Sequence, residues 1–213
     1  ENLCVASTHS YLLVFSDRGK VYWLKVHEIP QAGRAARGKP IVNLVQLAQG
    51  EKVAAILPVR ELPEPPREEE EAEPAEVAEG GSGTFVFLAT RRGLVKKTRL
   101  DAFSRPRPSG IIALSIEEGD RLIAARMTNG RSHILLSTAQ GMAIRFEESD
   151  VRRMGRTAYG VKGITLEEGD LVVSAEVLQA AVEGGPHPTI LTITRNGYGK
   201  RTELDDYRVQ RRA

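Results

Sequence analysis

Residues 33–40 read GRAARGKP, one position short of a loop that cradles nucleotide phosphates. Such a loop has the form G-x-x-x-x-G-K-[ST], in which backbone amides and a lysine surround the phosphates and a hydroxyl holds magnesium. Gly33, Gly38 and Lys39 stand at the required spacing, but Pro40 takes the hydroxyl position. Proline supplies neither a hydroxyl nor an amide hydrogen. The loop must also open a helix whose first amides receive the charge. Here PIVNLVQL is proline-led and β-branched, and reads as a strand. A nucleotide-binding enzyme is therefore disfavoured; it would be stabilised thermally by ATP. What is left is a group of cations among small residues.

That group recurs. SRPRPSG (104–110), RRMGRTAYG (152–160) and VQRRA (209–213) follow at corresponding places in the chain. The resulting clusters are Arg34, Arg37 and Lys39; Arg105 and Arg107; Arg152, Arg153 and Arg156, with Lys162 just beyond; and Arg208, Arg211 and Arg212. Guanidinium offers paired donors matched to phosphate oxygens, and small residues allow a sugar-phosphate backbone to come close. A second basic set lies just after recurring glycines: Lys20, Lys25, Lys96, Lys97, Arg99, Arg145, Lys200 and Arg201. Alternate residues of a strand share a face, so some of these would point outward while others cover apolar rims with their stems. The competing reading of any one of these cations is an ordinary solvated loop residue.

The charge balance points the same way. Residues 61–79, ELPEPPREEEEAEPAEVAE, carry nine acids and one base, a net −8; against an overall +2 the remainder stands at +10. A folded part this basic predicts a polyanionic partner, of which nucleic acid is the commonest. The acidic stretch, followed by GGSG, lacks any apolar period, so residues 61–83 are expected to be a disordered insertion. Its charge could also compete with a polyanion for the basic surface. Cys4 stands alone, and His9, His27, His133 and His187 are scattered. Neither set has the paired spacing of a zinc site, and no Ser/His/Asp or paired-carboxylate constellation suggests an enzyme. No apolar run approaches a membrane span, and no leader is visible, so a cytoplasmic protein is expected.

The elements that must carry the cations repeat as well. YLLVFSDRGKVYWLKVHEI (11–29), FVFLATRRGLVKKTRLDAF (85–103), HILLSTAQGMAIRFEESDV (133–151) and ILTITRNGYGKRTELDDY (190–207) each hold two strand-like runs around a polar turn ending at Gly19, Gly93, Gly141 or Gly197. These pivots are 74, 48 and 56 residues apart, and removing the insertion brings the first interval near 50. Gly50-Glu51, Gly119-Asp120 and Gly169-Asp170 then read as hairpin turns within a second pair of strands. Four strands per unit at this period predict an all-β, propeller-like fold. About three and a half four-stranded blades are expected: a first blade at 1–60, the insertion at 61–83, blades at 84–130 and 131–180, and a truncated one at 181–213.

RAARGKPIVNLVQL, AAILPV, LVKKT, VRRMGRTAYGVKGITLEEGD and NGYGKRT together resemble the C-terminal domain of DNA gyrase A, over nearly the whole chain outside the insertion. The related domain of topoisomerase IV has weaker repeats and is an alternative. The resemblance implies a six-bladed β-pinwheel whose blades exchange strands, with a basic outer edge around which duplex DNA is wrapped to support ATP-dependent negative supercoiling. The family's box, Q-R-R-G-G-[RK]-G, is matched only in its opening, by Gln210, Arg211 and Arg212, before Ala213. Arg34, Arg37 and Gly38 resemble a degenerate box of a later blade. The chain is thus expected to be a fragment lacking the first blade.

The same resemblance places the catalytic tyrosine upstream. It leaves Tyr11, Tyr22, Tyr159, Tyr198 and Tyr207 as packing or rim residues. It implies no cofactor in this fragment, with ATP and magnesium belonging to other parts of the holoenzyme. The implied partners are double-stranded DNA, the remainder of gyrase A, and gyrase B, in the bacterial cytoplasm at the nucleoid. From the residues alone, a propeller-type protein-interaction module with a basic rim is the other reading.

Overall fold

The computed structural model describes residues 4–33, 35–64, 83–178 and 188–212; most of the acidic segment and Arg34 lie outside them. In chain order the strands are β1 (Tyr11–Ser16), β2 (Lys20–Lys25), β3 (Val53–Val59), β4 (Phe85–Thr90), β5 (Leu94–Arg99), β6 (Ile111–Ile112) and β7 (Leu122–Thr128). They continue with β8 (His133–Thr138), β9 (Ala143–Glu147), β10 (Val161–Lys162), β11 (Val172–Leu178), β12 (Thr189–Ile193) and β13 (Gly199–Glu203). The chain is all-β, as its period implies. Helical structure among the described residues is limited to 3-10 turns of three or four residues, and no helix is long and apolar enough to cross a membrane.

Four antiparallel hairpins, β1–β2, β4–β5, β8–β9 and β12–β13, occupy the four repeats. β1 and β4 are central strands buried along almost their whole length. That burial is why they read as continuous apolar runs rather than alternating ones. The sheets are ordered β3-β1-β2-β6, β10-β5-β4-β7, β11-β8-β9 and β12-β13. β6 lies in the second repeat but pairs with β2 of the first, Ile111 opposite Val21 and Ile112 opposite Lys20. β10 of the third repeat pairs likewise with β5 of the second, Val161 opposite Val95. Each of these short strands therefore completes the sheet of the preceding repeat.

This corrects the reading of the second half of each unit as a hairpin. In the second and third units its two apolar runs separate into different sheets, and the glycine–acid pair between them anchors a crossing instead. Asp120 Oδ1 accepts from the amides of Arg92 (3.0 Å) and Arg121 (2.8 Å). Asp170 Oδ1 accepts from those of Gln140 (3.0 Å) and Leu171 (2.8 Å). Each acid thus ties its turn to the hairpin turn of its own sheet. The stretch PIVNLVQL is also not a strand: Ile41–Asn43 forms a 3-10 turn. Its counterparts β6 and β10 become strands only by pairing with an earlier sheet, and among the described residues no sheet precedes β1.

The cores run across unit boundaries. One buries Leu13, Phe15 and Val21 of the first repeat with Val86, Leu88 and Phe103 of the second. Phe15 and Phe103 meet edge to face, with ring centroids 6.0 Å apart. A second core joins Phe87 and Val95 to Ile134, Leu136, Phe146 and Val151 of the third repeat. Backbone bonds from Leu122 N to Asp17 O and from Val172 N to Arg91 O, both 2.9 Å, stitch the same boundaries.

Candidate nucleic-acid interface

The second, third and fourth basic junctions each leave the second strand of a hairpin, pass through a 3-10 turn (Leu100–Phe103, Glu148–Asp150 or Leu204–Asp206) and cross toward the preceding sheet. The third and fourth junctions make the crossing with the same geometry. Arg153 forms a parallel bridge with Lys97 and Val209 one with Arg145; Met154 N donates to Lys97 O (2.9 Å) and Gln210 N to Arg145 O (2.8 Å). Arg152 and Arg208 therefore occupy the same place, one residue before the bridge.

The residue four after each of the first three pivot glycines latches the crossing. Trp23 Nε1 donates to Phe103 O at 2.9 Å. Lys97 Nζ donates to Glu148 O at 3.2 Å and lies 3.6 Å from Glu148 Oε1. Arg145 Nη1 donates to Leu204 O (2.8 Å) and Tyr207 O (3.2 Å). Three different side chains thus do one job, donating to carbonyls of the following repeat's turn.

Much of the second basic set is consequently structural. Lys97 is buried against Glu148, whose carboxylate also accepts from Thr128 Oγ1 and from Ser132 N. Burial pushes the Lys97 ammonium below its ordinary pKa while Glu148 pulls it back up. Arg99 is ion-paired with Asp101. Lys96 is wholly buried, and its Nζ donates to three carbonyls of the third junction, Gly155 O (2.9 Å), Arg156 O (2.6 Å) and Ala158 O (3.2 Å). Burial first, and then repulsion from Arg156, brings its pKa down to about 7; the three carbonyls act against that by favouring the ammonium. In the first repeat the matching position is Tyr22. Its hydroxyl donates to Glu51 Oε2 at 3.0 Å, and burial followed by that acceptor pushes its pKa up to about 12.

The junction set, and with it Lys200 and Arg201 of β13, is placed differently. Arg37, Lys39, Arg105, Arg107, Arg152, Lys162, Lys200, Arg201, Arg208 and Arg211 are exposed; Arg153 and Arg156 are partly so. None of these twelve is in an ion pair among the described residues, whose salt bridges are Lys97–Glu148, Arg99–Asp101 and Arg126–Glu176. Arg212 departs from the set: its Nε donates to Asp150 O (2.8 Å) and its Nη1 to Lys162 O (3.0 Å), so it fastens the fourth junction to the third unit. Arg34 lies outside the described residues. Among those residues no group of three His, Cys, Asp or Glu side chains is arranged to hold a metal ion. The GRAARGKP stretch leads into a single 3-10 turn, too short to present helix amides to a phosphate. The structural role of Lys96 is hidden in the sequence because a lysine in a polar-looking run, LVKKT, reads as solvated. The available signal is its place three residues after the pivot, where Tyr22 and Ile144 are buried.

Against known proteins, the DNA gyrase C-terminal domain (beta-propeller) family model matches residues 10–60, 84–129, 132–179 and 188–213. The gyrase A protein of Salmonella typhimurium is 47% identical over 213 residues, all of this chain and 22% of that protein. Gyrase A of Staphylococcus aureus is 41% identical over 210 residues, 99% of this chain and 21% of its own length. The chain thus spans about a fifth of the length of these curated relatives. Among solved structures, the C-terminal domain of DNA topoisomerase IV superposes with a TM-score of 0.77 at 26% identity, covering 97% of this chain and 57% of that one. The DNA gyrase A C-terminal domain superposes at 0.73 and 24%, covering 97% and 59%. Repeat by repeat, from the pivots through the basic junctions, this chain belongs to the DNA gyrase C-terminal domain family.

Proposed function

We propose that this chain is a non-catalytic surface that binds duplex DNA and wraps it along successive basic junctions, as part of the gyrase A protein of a bacterial DNA gyrase. The observation that carries the reading is the contrast between two kinds of cation. Lys96, Lys97, Arg99 and Arg145 on or beside the packed hairpins are held by carbonyls or carboxylates, while the junction cations other than Arg212, together with Lys200 and Arg201 of β13, stay wholly or partly exposed and free of ion pairs among the described residues. Exposed arginines spaced by small residues suit phosphate oxygens and carry no base code of their own. The candidate contacts are Arg34, Arg37, Lys39, Arg105, Arg107, Arg152, Arg153, Arg156, Lys162, Lys200, Arg201, Arg208 and Arg211, with Arg212 fastening the last junction. DNA bent over this surface would serve negative supercoiling powered by ATP on gyrase B. The protein partners are gyrase B and the remainder of gyrase A, in the cytoplasm at the nucleoid, with no cofactor held by this chain.

The test is duplex binding over a salt series. Affinity is expected to be insensitive to sequence and to fall with a log-log slope of about −0.9 per phosphate neutralised. Binding that appears only after deletion of residues 61–83 would assign the acidic segment an autoinhibitory role. No binding in either form would favour a protein-interaction module instead.

A further inference from the structure

The loop of the third junction is held from beneath in an unusual way. The carbonyls of four consecutive residues, Gly155 to Ala158, are all engaged by side chains of the preceding repeat, three of them by one buried lysine. Lys96 Nζ takes those of Gly155, Arg156 and Ala158, and Ser115 Oγ donates to Thr157 O at 2.6 Å. No peptide here is cis, and in a trans peptide the N–H points opposite to the C=O of the same unit. Drawing the carbonyls of Gly155 and Arg156 inward therefore turns the amides of Arg156 and Thr157 the other way. Neither amide has an acceptor among the described residues, whereas Ala158 N, the next along, bonds Gly155 O at 3.3 Å. Two adjacent N–H groups turned to the same side can make a concavity for an anion, and the loop that carries them holds Arg152, Arg153 and Arg156.

The clamp leaves no alternative use for the lysine. Leu88 on β4 and Gly160 beyond β5 flank it, and neither carries charge. A Cβ at Gly160 would stand 2.6 Å from Val95 O and 3.4 Å from Lys96 Cβ, so the loop is drawn tightly onto this strand. In the first unit the matching side chain is Tyr22, whose single hydroxyl is spent on Glu51 and cannot gather three carbonyls.

We propose that Lys96 is a positioning residue for DNA binding: by collecting the inward carbonyls of Gly155, Arg156 and Ala158 it presents the amides of Arg156 and Thr157 to one phosphate of the duplex backbone. This rests on the wrapping reading and assigns it a specific phosphate seat. The test compares the full chain with K96M, which keeps the stem and loses the donors, in titrations with a linear duplex across a salt series. Expected are a loss of several-fold in affinity at moderate salt and a salt slope smaller by about 0.9, the share of one phosphate. Adding K96M to R152A/R153A/R156A should cost far less than adding it to R105A/R107A, since the first combination disables one seat twice. Where K96M does not fold, S115A, which frees only the Thr157 carbonyl, should move affinity in the same direction by a smaller factor. An unchanged salt slope, or losses that multiply equally with both junctions, would overturn the positioning role while leaving wrapping intact. A wild-type chain that binds no duplex at any salt would overturn both.

Discussion

A Cβ placed on Gly19 would stand 2.2 Å from the carbonyl oxygen of Leu114, ninety-five residues further along the chain. Gly19 has φ +77°, and its own carbonyl accepts from the amides of Ala113 and Leu114. The incoming segment of the second repeat thus rests directly on the first pivot. Gly93 repeats the arrangement under Ile164, whose Cγ2 would be 2.9 Å away, while nothing among the described residues approaches the corresponding position at Gly141 within 4 Å. All three have positive φ, so an alanine at any of them carries the left-handed penalty of about 1–2 kcal/mol. Gly19→Ala should be destabilised further because the Leu114 backbone must move, and Gly93→Ala because Ile164 must shift. Urea titration should rank Gly141→Ala as the mildest; equal losses would refute the close-approach account.

Lys97 and Glu148 form a pair with side chains 9% and 0% exposed, and Glu148 Oε1 has no hydrogen-bond donor. Removing the lysine alone leaves an uncompensated carboxylate in the interior. Lys97→Met is expected to cost about 3–5 kcal/mol, and adding Glu148→Gln should restore a large part of it. A double-mutant cycle by chemical denaturation measures this, and a strictly additive pair would contradict it. By contrast Arg126–Glu176, which bridges β7 and β11 with side chains 39% and 45% exposed, should contribute less than about 1 kcal/mol.

Lys96 gives a pH dependence whose sign is fixed by its environment. Folding lowers its pKa from 10.5 to about 7, so between those values the unfolded chain binds the extra proton and stability rises with pH. The contribution is complete above 10.5 and is lost as the pH falls to 7. The stability of wild type relative to Lys96→Met should therefore improve from about pH 7 to about pH 9, by no more than about 1.4 kcal/mol per unit. Paired thermal melts across that range would show it; a difference that shrinks with pH would refute it.

Arg145 holds the fourth hairpin by donating to Leu204 O and Tyr207 O while its Nε donates to His133 Nδ1. Arg145→Met should accelerate amide exchange across β12 and β13 and leave the first two sheets protected. Exchange that rises evenly over the chain would mean the latch acts globally.

The hairpins, their pivot glycines and the basic junctions were legible in the sequence, because each is a local pattern that the repeat shows several times over. Strand exchange was not legible from the residues. Ile111 and Ile112 announce a strand, but nothing nearby says that Lys20 and Val21 will receive it, and Gly119-Asp120 carries the same signal as a hairpin turn. Only the family resemblance implied it. The division of the cations was hidden for a related reason. Lys96 and Lys97 look like Lys200 and Arg201, which occupy the same repeat positions, yet one pair has a following unit packed over it and the other is exposed. Burial is settled by the next repeat, not by the lysines.

The exchanged strands also decide where this molecule can be cut. A deletion planned on sequence repeats, removing residues 84–130 as one module, would take β6 out of the first sheet and leave β10 without its host. A clean excision follows a staggered frame instead, carrying off a hairpin, its innermost strand and the two-residue strip contributed by the repeat behind it. Chimaeras joined in that offset frame should stay soluble, and those joined between pattern repeats should not.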